Sequence, residues 1–428
     1  MNDTNGRKAL TVNGRSYAWP DAPLVLVCID GSEPEYEIGR SGYMEHAMAA
    51  GAMPWLKQAL RHGTQRLADC VVPTFTNPNN LSIVTGVPPA VHGICGNFFY
   101  DTENDAEVMM NDPALLRADT VFAAFADAGA KITVVTAKDK LRGLLGVGLP
   151  IGPGQSICFS AERADEATLE ANGIENLLTL VGLPKPSVYS ADLSEFVFAA
   201  GVQIMQRDRP DIMYLSTTDY IQHKHEPGSE TANAFYQMMD GYWQQLETMG
   251  ATIALTADHG MKAKHGHDGQ PDVIYLQSLL DDWLGAGAAR VILPITDPYV
   301  VHHGALGGFA TAYLPAETDS KAVIERLADT PGIECALSRE EACQRFELPP
   351  DRIGDVVVVA TGAKVLGSSP ERHDLSGLEE PLRSHGSVSE QRVPFYLNRP
   401  TKGLPGDAKL RNFDLLDVAL NHLQENAR

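Results

Sequence analysis

Asp258 and His259 stand side by side directly behind a short apolar run, residues 251–255. A continuous run of this length predicts a buried strand. α/β sheets bind ligands and metals in the loops beyond the carboxyl ends of their strands. A carboxylate and an imidazole in such a loop are typical metal-binding groups, so the pair marks a candidate metal site.

Metal-binding side chains also follow two other predicted strands. Asp30 ends the apolar run 23–29, and Asp219 and His223 follow the run 211–216. The spacing of four residues between Asp219 and His223 would place both side chains on one side of a helical turn. Taken alone, Asp30 has an ordinary alternative as a turn or cap residue. Its agreement in position with the other pairs favours a shared site.

A late histidine, His385, completes this set from a loop rich in glycine and serine. The chain then offers three aspartates and three histidines and no thiolate. Such carboxylate and imidazole ligands suit Zn²⁺, with Mn²⁺ or Fe²⁺ as alternatives. The six candidate metal ligands are Asp30, Asp219, His223, Asp258, His259 and His385.

Thr76 lies between a segment dense in turn residues, 71–80, and an apolar segment, 81–85. This change predicts that Thr76 stands at or just before the start of a short helix. A helix N-terminus offers free N–H groups and positive potential, which suit a phosphoryl group. The alternative is that Thr76 is a plain N-cap. Further along, Asn97 is a candidate amide donor from a loop.

Two lysines, Lys138 and Lys140, follow the predicted strand 131–135. Their ordinary alternative is that of surface solubilisers. In a chain with a formal charge of −21, however, paired cations at the ligand edge of a sheet indicate an anion clamp. The strong negative charge itself argues against nucleic acid or an anionic membrane as a partner.

The composition is that of a globular protein, with 428 residues and 44% hydrophobic residues. The start is polar and lacks the apolar core of a signal peptide, and no apolar run is long enough to span a membrane. The six cysteines form no C-x-x-C pair. We therefore expect a cytoplasmic protein without disulfides or thiolate metal sites.

Helix and strand patterns alternate through residues 20–260, which predicts an α/β fold with a mainly parallel sheet flanked by helices on both faces. Within it, we expect one helix over 43–60 and an irregular excursion over 141–190. Short strands and helices then indicate a small α+β cap at 268–372, inserted before the last core strand, 393–397. The catalytic core would comprise 20–267 and 373–428.

The order of these motifs resembles the alkaline phosphatase superfamily, most closely its nucleotide pyrophosphatase/phosphodiesterase-like branch. The resemblance extends from residue 24 to about 396. It implies an alkaline phosphatase-like core, Thr76 as the nucleophile, two Zn²⁺ per subunit and a homodimer. The motifs that carry it are Asp30-Gly31, Thr76-Asn77-Pro78-Asn79, Asp219-x-x-x-His223, Asp258-His259-Gly260-Met261 and His385.

This resemblance also assigns the ligands to two sites. One Zn²⁺ would be bound by Asp30, Asp258 and His259, with Thr76 as its fourth ligand. The second would be bound by Asp219, His223 and His385. His225 competes with His223, but the four-residue spacing from Asp219 favours His223.

Within the branch, the segments 75–86 and 92–97 and above all the sequence Lys138-Asp139-Lys140 resemble the members that cleave carbon–phosphorus bonds. This implies a small anionic substrate whose carboxylate is bound by the two lysines, while Asn97 donates to a phosphoryl oxygen. A phospho-threonine intermediate on Thr76 would follow.

Three other functions remain open from the sequence. A nucleotide pyrophosphatase or phosphodiesterase would use the same zinc pair but needs an apolar or aromatic slot for a base. A non-catalytic anion- or metal-binding protein would not need a nucleophile. A metal-dependent mutase of the superfamily is disfavoured, because its usual nucleophile is serine. The sequence assigns no role to His265, His267, His302 or His303.

Overall fold

A central sheet of eight strands organises the computed structural model, which describes residues 7–34, 42–295 and 305–424. All of its strands run in one direction except Arg392–Leu397, which is antiparallel to both neighbours. The predicted α/β fold with a mainly parallel sheet is therefore confirmed. Across the sheet, the order is Leu410–Arg411, Thr64–Asp69, Arg392–Leu397, Thr252–Thr256, Leu24–Cys28, Ile212–Ser216, Ile132–Thr136 and Ile157–Ser160.

The central strands are buried along their whole length, because helices cover both faces of the sheet. In Leu24–Cys28, successive side chains point to opposite faces. Val25 and Val27 pack into one apolar cluster, whereas Leu24 and Leu26 pack into the other. This explains why the strand is a continuous apolar run rather than an alternating one.

Two groups of helices cover the two faces. Those that pack beside Val25 and Val27 are Tyr43–Ala49, Pro54–Ala59, Leu177–Val181, Asp192–Asp208, Tyr220–Lys224 and Glu230–Thr248. Those that pack on the opposite face are Thr76–Thr85, Val121–Asp127, Asp139–Leu145 and Leu415–Asn421. Two further short helices are Pro89–His92 and Leu169–Asn172.

Three local expectations were incomplete. The helix expected over 43–60 is two helices, since Gly51 takes a positive φ and Pro54 starts a new helix. The excursion 141–190 contains an edge strand, Ile157–Ser160, that is too short to give a clear pattern. The chain also adds Leu410–Arg411 to the sheet after the strand expected to be the last.

Between the two parts of this core, the described residues of the segment 268–372 include an antiparallel sheet with its own apolar cluster. The order of this sheet is Arg290–Ile292, Phe309–Tyr313, Val356–Ala360 and Ile333–Ser338. Its helices are Leu276–Leu284, Ser320–Ala328 and Arg339–Phe346. These are the short strands and helices expected of an α+β segment; its independence as a cap stays a prediction.

Four strand pairs lie outside the two larger sheets. They are Leu10–Val12 with Arg15–Tyr17, Phe98–Asp101 with Ala106–Met109, Lys262–Ala263 with Arg383–Ser384, and Val273–Tyr275 with Val365–Gly367. Within the described ranges, none of the helices has the length and apolar character required to cross a membrane.

Candidate active site

Three neighbouring strands bring the candidate aspartates together. Thr252–Thr256, Leu24–Cys28 and Ile212–Ser216 are adjacent and parallel, so their carboxyl ends meet at one edge of the sheet. Asp258 and Asp30 each follow their strand by two residues. Parallel pairing thus brings residues that are far apart in sequence into one cluster, as predicted from their positions at the ends of strands.

His385 reaches this cluster by a different route. The short strand Arg383–Ser384 pairs with Lys262–Ala263, which lies just beyond His259. The pairing brings the rings of His385 and His259 into a stack, with centroids 3.6 Å apart and planes 7° from parallel. A histidine from the end of the chain therefore lies against one from the middle.

Asp219, His223 and His385 form the first group of ligand atoms, which all lie within 4.8 Å of one another. The Nε2 of His223 is 2.7 Å from Asp219 Oδ2, and the Nε2 of His385 is 3.8 Å from the same oxygen. The helix Tyr220–Lys224 produces this proximity, because it begins directly after Asp219. The structure thus brings together the three residues that the family resemblance assigns to one metal.

The second group centres on His259. Its Nε2 lies 3.2 Å from Asp30 Oδ1, 3.8 Å from Asp258 Oδ2 and 3.5 Å from Thr76 Oγ1. Asp30, Asp219 and His259 also offer ligand atoms within 4.8 Å of one another. Asp219 therefore lies between the two groups, a feature that the sequence did not indicate.

Asp258 is held by donors on both of its oxygens. Its Oδ1 accepts the N–H groups of Gly31 and His259, and its Oδ2 accepts the side-chain amide of Asn80. Asn80 in turn accepts a hydrogen bond of 2.7 Å from the hydroxyl of Tyr214. These bonds orient the carboxylate toward the cluster. Asn80 lies in the segment 75–86, but the sequence assigned it no role.

A backbone carbonyl oxygen fixes each of the three histidine rings. The Nδ1 atoms of His223, His259 and His385 lie 2.8, 2.9 and 2.7 Å from the carbonyl oxygens of Arg383, Gly260 and Thr74, respectively. A carbonyl oxygen can only accept, so each Nδ1 carries a proton and each Nε2 points into the cluster. Metal-binding histidines are oriented in this way by their outer partners.

The donor set fits a divalent cation. With Nδ1 as the donor, a neutral His259 directs the lone pair of Nε2 at Asp30 Oδ1, 3.2 Å away. Apart from this nitrogen, Asp30 Oδ1 has no hydrogen-bond donor within the described part of the chain. Two acceptors facing each other in a buried site require a cation between them, either a proton or a metal ion.

The acid–base properties of the metal-free cluster agree with this requirement. Burial, together with the charges of Asp219 and Asp258, raises the pKa of Asp30 well above its ordinary value. Burial alone would lower the pKa of His259, but the charges of Asp258 and Asp30 outweigh it and raise the pKa to about 10. Without metal, the site therefore retains protons to offset its negative charge.

Thr76 is the first residue of the helix Thr76–Thr85, with Phe75 as its N-cap residue. It is not itself the N-cap, so its hydroxyl is not used to close the helix. Asn80, one turn later, donates to the Thr76 carbonyl at 3.0 Å as well as to Asp258. The start of the helix is thereby fixed against the aspartate cluster.

A cavity of about 480 Å³ opens beside Thr76 and the cluster. Lys138, Lys140 and Asn97 all line it. Lys138 Nζ donates to the Val188 carbonyl at 2.7 Å. The wall also contains polar residues to which the sequence assigned no role: Asn77, Asn111, Glu162, Arg163, Tyr189, Thr217, Thr218 and Tyr220.

The segment that carries the lysines is anchored through Asp139. Its carboxylate accepts from Arg142 Nε at 2.6 Å and from Ser160 Oγ at 2.9 Å, so it is turned toward these donors. The Asp139 N–H donates to Glu162 Oε2 at 2.8 Å. These bonds hold the backbone on which Lys138 and Lys140 stand.

Among the described residues, His223 and His385 are the histidines that line this cavity. His225 follows the helix Tyr220–Lys224 in an extended conformation and, like His265 and His267, is not among the described residues that line the cavity. The Nδ1 of His265 lies 2.9 Å from the carbonyl oxygen of Gly266. His302 and His303 fall outside the described residues.

The sequence and the fold have clear relatives. The family model for type I phosphodiesterase/nucleotide pyrophosphatase matches residues 24–387. Two structures of the phosphonoacetate hydrolase from Sinorhizobium meliloti 1021, in complex with phosphonoacetate and with phosphonoformate, are each 58% identical to this chain. Each match covers 96% of this chain and 98% of the hydrolase chain, with a TM-score of 0.92.

A distant structure shares the fold alone. Murine ectonucleotide pyrophosphatase/phosphodiesterase 5 is 16% identical over 95% of this chain and 97% of its own, with a TM-score of 0.60. The family match and the close relative together cover nearly the whole chain. The chain therefore belongs to the type I phosphodiesterase/nucleotide pyrophosphatase family of the alkaline phosphatase superfamily, in the same group as the phosphonoacetate hydrolase of Sinorhizobium meliloti.

Proposed function

We propose that this protein hydrolyses the carbon–phosphorus bond of phosphonoacetate to give acetate and phosphate. The observation that carries the proposal is that Lys138 and Lys140 line the same cavity as Thr76 and the aspartate–histidine cluster. A nucleophile and a metal-type cluster suit a phosphoryl group. Two cations in the same cavity suit a carboxylate. Similarity to an enzyme crystallised with phosphonoacetate supports this substrate.

We further propose that the cluster binds two zinc ions. Asp30, Asp258 and His259 would hold one, with Thr76 as an additional ligand. Asp219, His223 and His385 would hold the other. When bound, divalent ions of this kind act as Lewis acids on phosphoryl oxygens and lower the pKa of a coordinated hydroxyl.

In the proposed reaction, the Thr76 oxygen attacks phosphorus and loses its proton as the carbon–phosphorus bond breaks. The electron pair of that bond passes to the carbon, and the neighbouring carboxylate holds it as an enediolate. Protonation of the carbon gives acetate. Water then hydrolyses the phospho-threonine, which releases phosphate and restores the Thr76 hydroxyl.

The lysines would make this leaving group feasible. An enediolate carries more negative charge on its oxygens than the carboxylate of the substrate. Lys138 and Lys140 therefore bind the transition state more strongly than the ground state, which lowers the barrier. Asn97, which lines the cavity, would donate to a phosphoryl oxygen, and backbone hydrogen bonds to Pro294 and Met110 hold its segment in place.

Residues 268–372 would form a cap over the catalytic core, 20–267 and 373–428. The cap elements reach the cavity through Ile295, and the N–H of Gly308 donates to the carbonyl of His385.

We also propose a cytoplasmic homodimer. The six cysteines are all free thiols, which supports a reducing compartment. Light scattering coupled to size exclusion would give the oligomeric state.

The decisive experiment is phosphate release by zinc-loaded protein, compared between phosphonoacetate and p-nitrophenyl thymidine monophosphate. We expect turnover of phosphonoacetate that is lost in both Thr76→Ala and Lys138→Ala. If the nucleotide ester is the better substrate and Lys138→Ala has no effect, the protein is a phosphodiesterase and the phosphonate proposal is wrong. If the wild type releases no phosphate from either compound, and its ligand binding survives Thr76→Ala, the protein is a binding protein rather than an enzyme.

A further inference from the structure

Lys264 and Glu390 form an ion pair in the interior, behind the candidate metal cluster. Both side chains are fully buried, and Lys264 Nζ lies 2.8 Å from Glu390 Oε1. A buried ion pair is weak evidence for stability, because desolvation of the two charges offsets their attraction. The role of this pair therefore lies in the groups that its hydrogen bonds hold in place.

Four donors surround the carboxylate of Glu390. Lys264 Nζ and Ser389 Oγ donate to Oε1, at 2.8 and 2.5 Å. The N–H and the hydroxyl of Ser387 donate to Oε2, at 2.9 and 2.8 Å. Both oxygens are fully used, so the carboxylate fixes the backbone and the side chain of Ser387 together.

Ser387 connects this carboxylate to His385. The Ser387 carbonyl accepts from Thr74 Oγ1 at 3.0 Å, and Thr74 Oγ1 accepts from the N–H of Gly386 at 2.8 Å. The Thr74 carbonyl is the group that orients the His385 ring, 2.7 Å from Nδ1. Thr74 also precedes Thr76 by two residues. One end of the network therefore reaches both His385 and the proposed nucleophile.

The backbone of Glu390 connects to the second ligand group, which contains His259. Its carbonyl oxygen accepts the N–H of Gly260 at 2.8 Å. The carbonyl of Gly260 orients the His259 ring, 2.9 Å from Nδ1. Glu390 is thus bonded to the segments that orient His259 and His385, one histidine from each ligand group. The rings of these two histidines stack, with centroids 3.6 Å apart.

We propose that Glu390, neutralised by Lys264, is a positioning residue that sets the placement of His259 relative to His385 and thereby tunes the binding of both metal ions. This inference rests on the proposed metal site, although it does not depend on which substrate is cleaved. It also accounts for the burial of a charge pair: a carboxylate, unlike an amide, accepts all four hydrogen bonds.

The test compares zinc affinity and a cobalt spectrum across variants. In Glu390→Gln, one acceptor oxygen becomes an amide donor. We expect zinc affinity, measured by competition with a chromophoric chelator, to fall by about tenfold or more, as for other outer partners of metal ligands. The visible spectrum of the cobalt-substituted protein, which reports ligand geometry, should shift as well.

Asp240→Asn is the matched control. Asp240 is also a buried carboxylate that accepts two backbone N–H groups, those of Trp55 and Leu56, but it contacts none of the candidate ligands. We expect it to lower the melting temperature while the zinc affinity and the cobalt spectrum stay those of the wild type. Ser387→Ala is a milder change and replaces Glu390→Gln in the test if that variant does not fold. It should also lower zinc affinity.

Lys264→Met combined with Glu390→Gln separates lost hydrogen bonds from the cost of an unpaired charge. We expect the double variant to recover melting temperature relative to Glu390→Gln but not zinc affinity. Recovery of both, or wild-type zinc affinity and spectrum in Glu390→Gln and Ser387→Ala, would overturn the inference. A wild-type protein that binds no zinc would overturn it too, whereas zinc binding without phosphonoacetate turnover would refute only the proposed reaction.

Discussion

The hydroxyl of Thr76 is the nucleophile of the proposed reaction. It stands at the start of a helix, 3.5 Å from His259 Nε2. Thr76→Ala should lower phosphate release by about a thousandfold or more, because removal of a nucleophile abolishes the covalent route. Thr76→Ser retains a hydroxyl and should retain measurable turnover. Mass spectrometry after acid quenching should find a phosphoryl group on Thr76 of the wild type. A phosphoryl group on another residue would refute this assignment.

Lys138 offers a second test at the scale of one residue. Lys138→Met removes a charged donor that would bind the transition state, so kcat/KM for phosphonoacetate should fall by about 10- to 100-fold or more, the value of one charge-assisted hydrogen bond. Lys131 stands at the opposite end of the adjoining strand, Ile132–Thr136, and is exposed. Lys131→Met should therefore leave KM and kcat unchanged. Equal effects of the two substitutions would argue against a carboxylate subsite at Lys138.

The loop that follows the strand Arg383–Ser384 is the element that brings His385 to the cluster. Gly386 takes a φ of 120°, and a Cβ atom there would lie 2.7 Å from Phe75 Cε1 and 2.8 Å from the N–H nitrogen of Gly308. Gly386→Ala should displace the loop and reduce both zinc retention and turnover. Metal content by mass spectrometry and phosphate release measure the two effects.

Gly129 provides the matched control for this element. It also takes a positive φ, 94°, but a Cβ atom there would meet nothing within 4 Å. Gly129→Ala should cost about 1 kcal/mol of stability from the backbone conformation alone, with normal zinc content and turnover. If Gly386→Ala behaves in the same way as Gly129→Ala, the loop tolerates displacement and does not control the site.

At the scale of the whole molecule, we expect the proposed metal site to make stability depend on bound metal. Three carboxylates, from Asp30, Asp219 and Asp258, converge at the edge of the central sheet, and bound cations would offset their repulsion. Removal of metal by a chelator should lower the melting temperature, and zinc should restore it. Each site filled at about 100 times its dissociation constant adds about 2.7 kcal/mol.

Asp30→Asn separates this electrostatic effect from general damage. The pKa of Asp30 is raised in the metal-free cluster, so this carboxyl group destabilises the folded state at neutral pH. The metal-free variant should therefore melt at or above the metal-free wild type. With zinc present the order should reverse, because a ligand is missing. Calorimetry with and without zinc gives both comparisons. A variant that melts lower than wild type in both states would show that Asp30 is mainly structural.

Local signals were sufficient for much of the site. Asp30, Asp219 and Asp258 could be identified because apolar runs mark buried strands, and ligand sites lie at strand ends in α/β folds. Thr76 could be placed at a helix start because its flanks change from turn residues to apolar ones. The short strand Ile157–Ser160 was missed because four residues give no clear period.

The relation between these residues required the tertiary structure. Only strand order shows that Asp219 lies between the two ligand groups, and only the packing of distant loops brings His385 onto His259. Neither Asn80 nor Glu390 could be given a role from the sequence, since their roles arise from hydrogen bonds to residues far away in the chain. The sequence determined which side chains are available and on which elements they stand. Long-range pairing and packing decided their distances, because those depend on contacts that local periodicity does not encode.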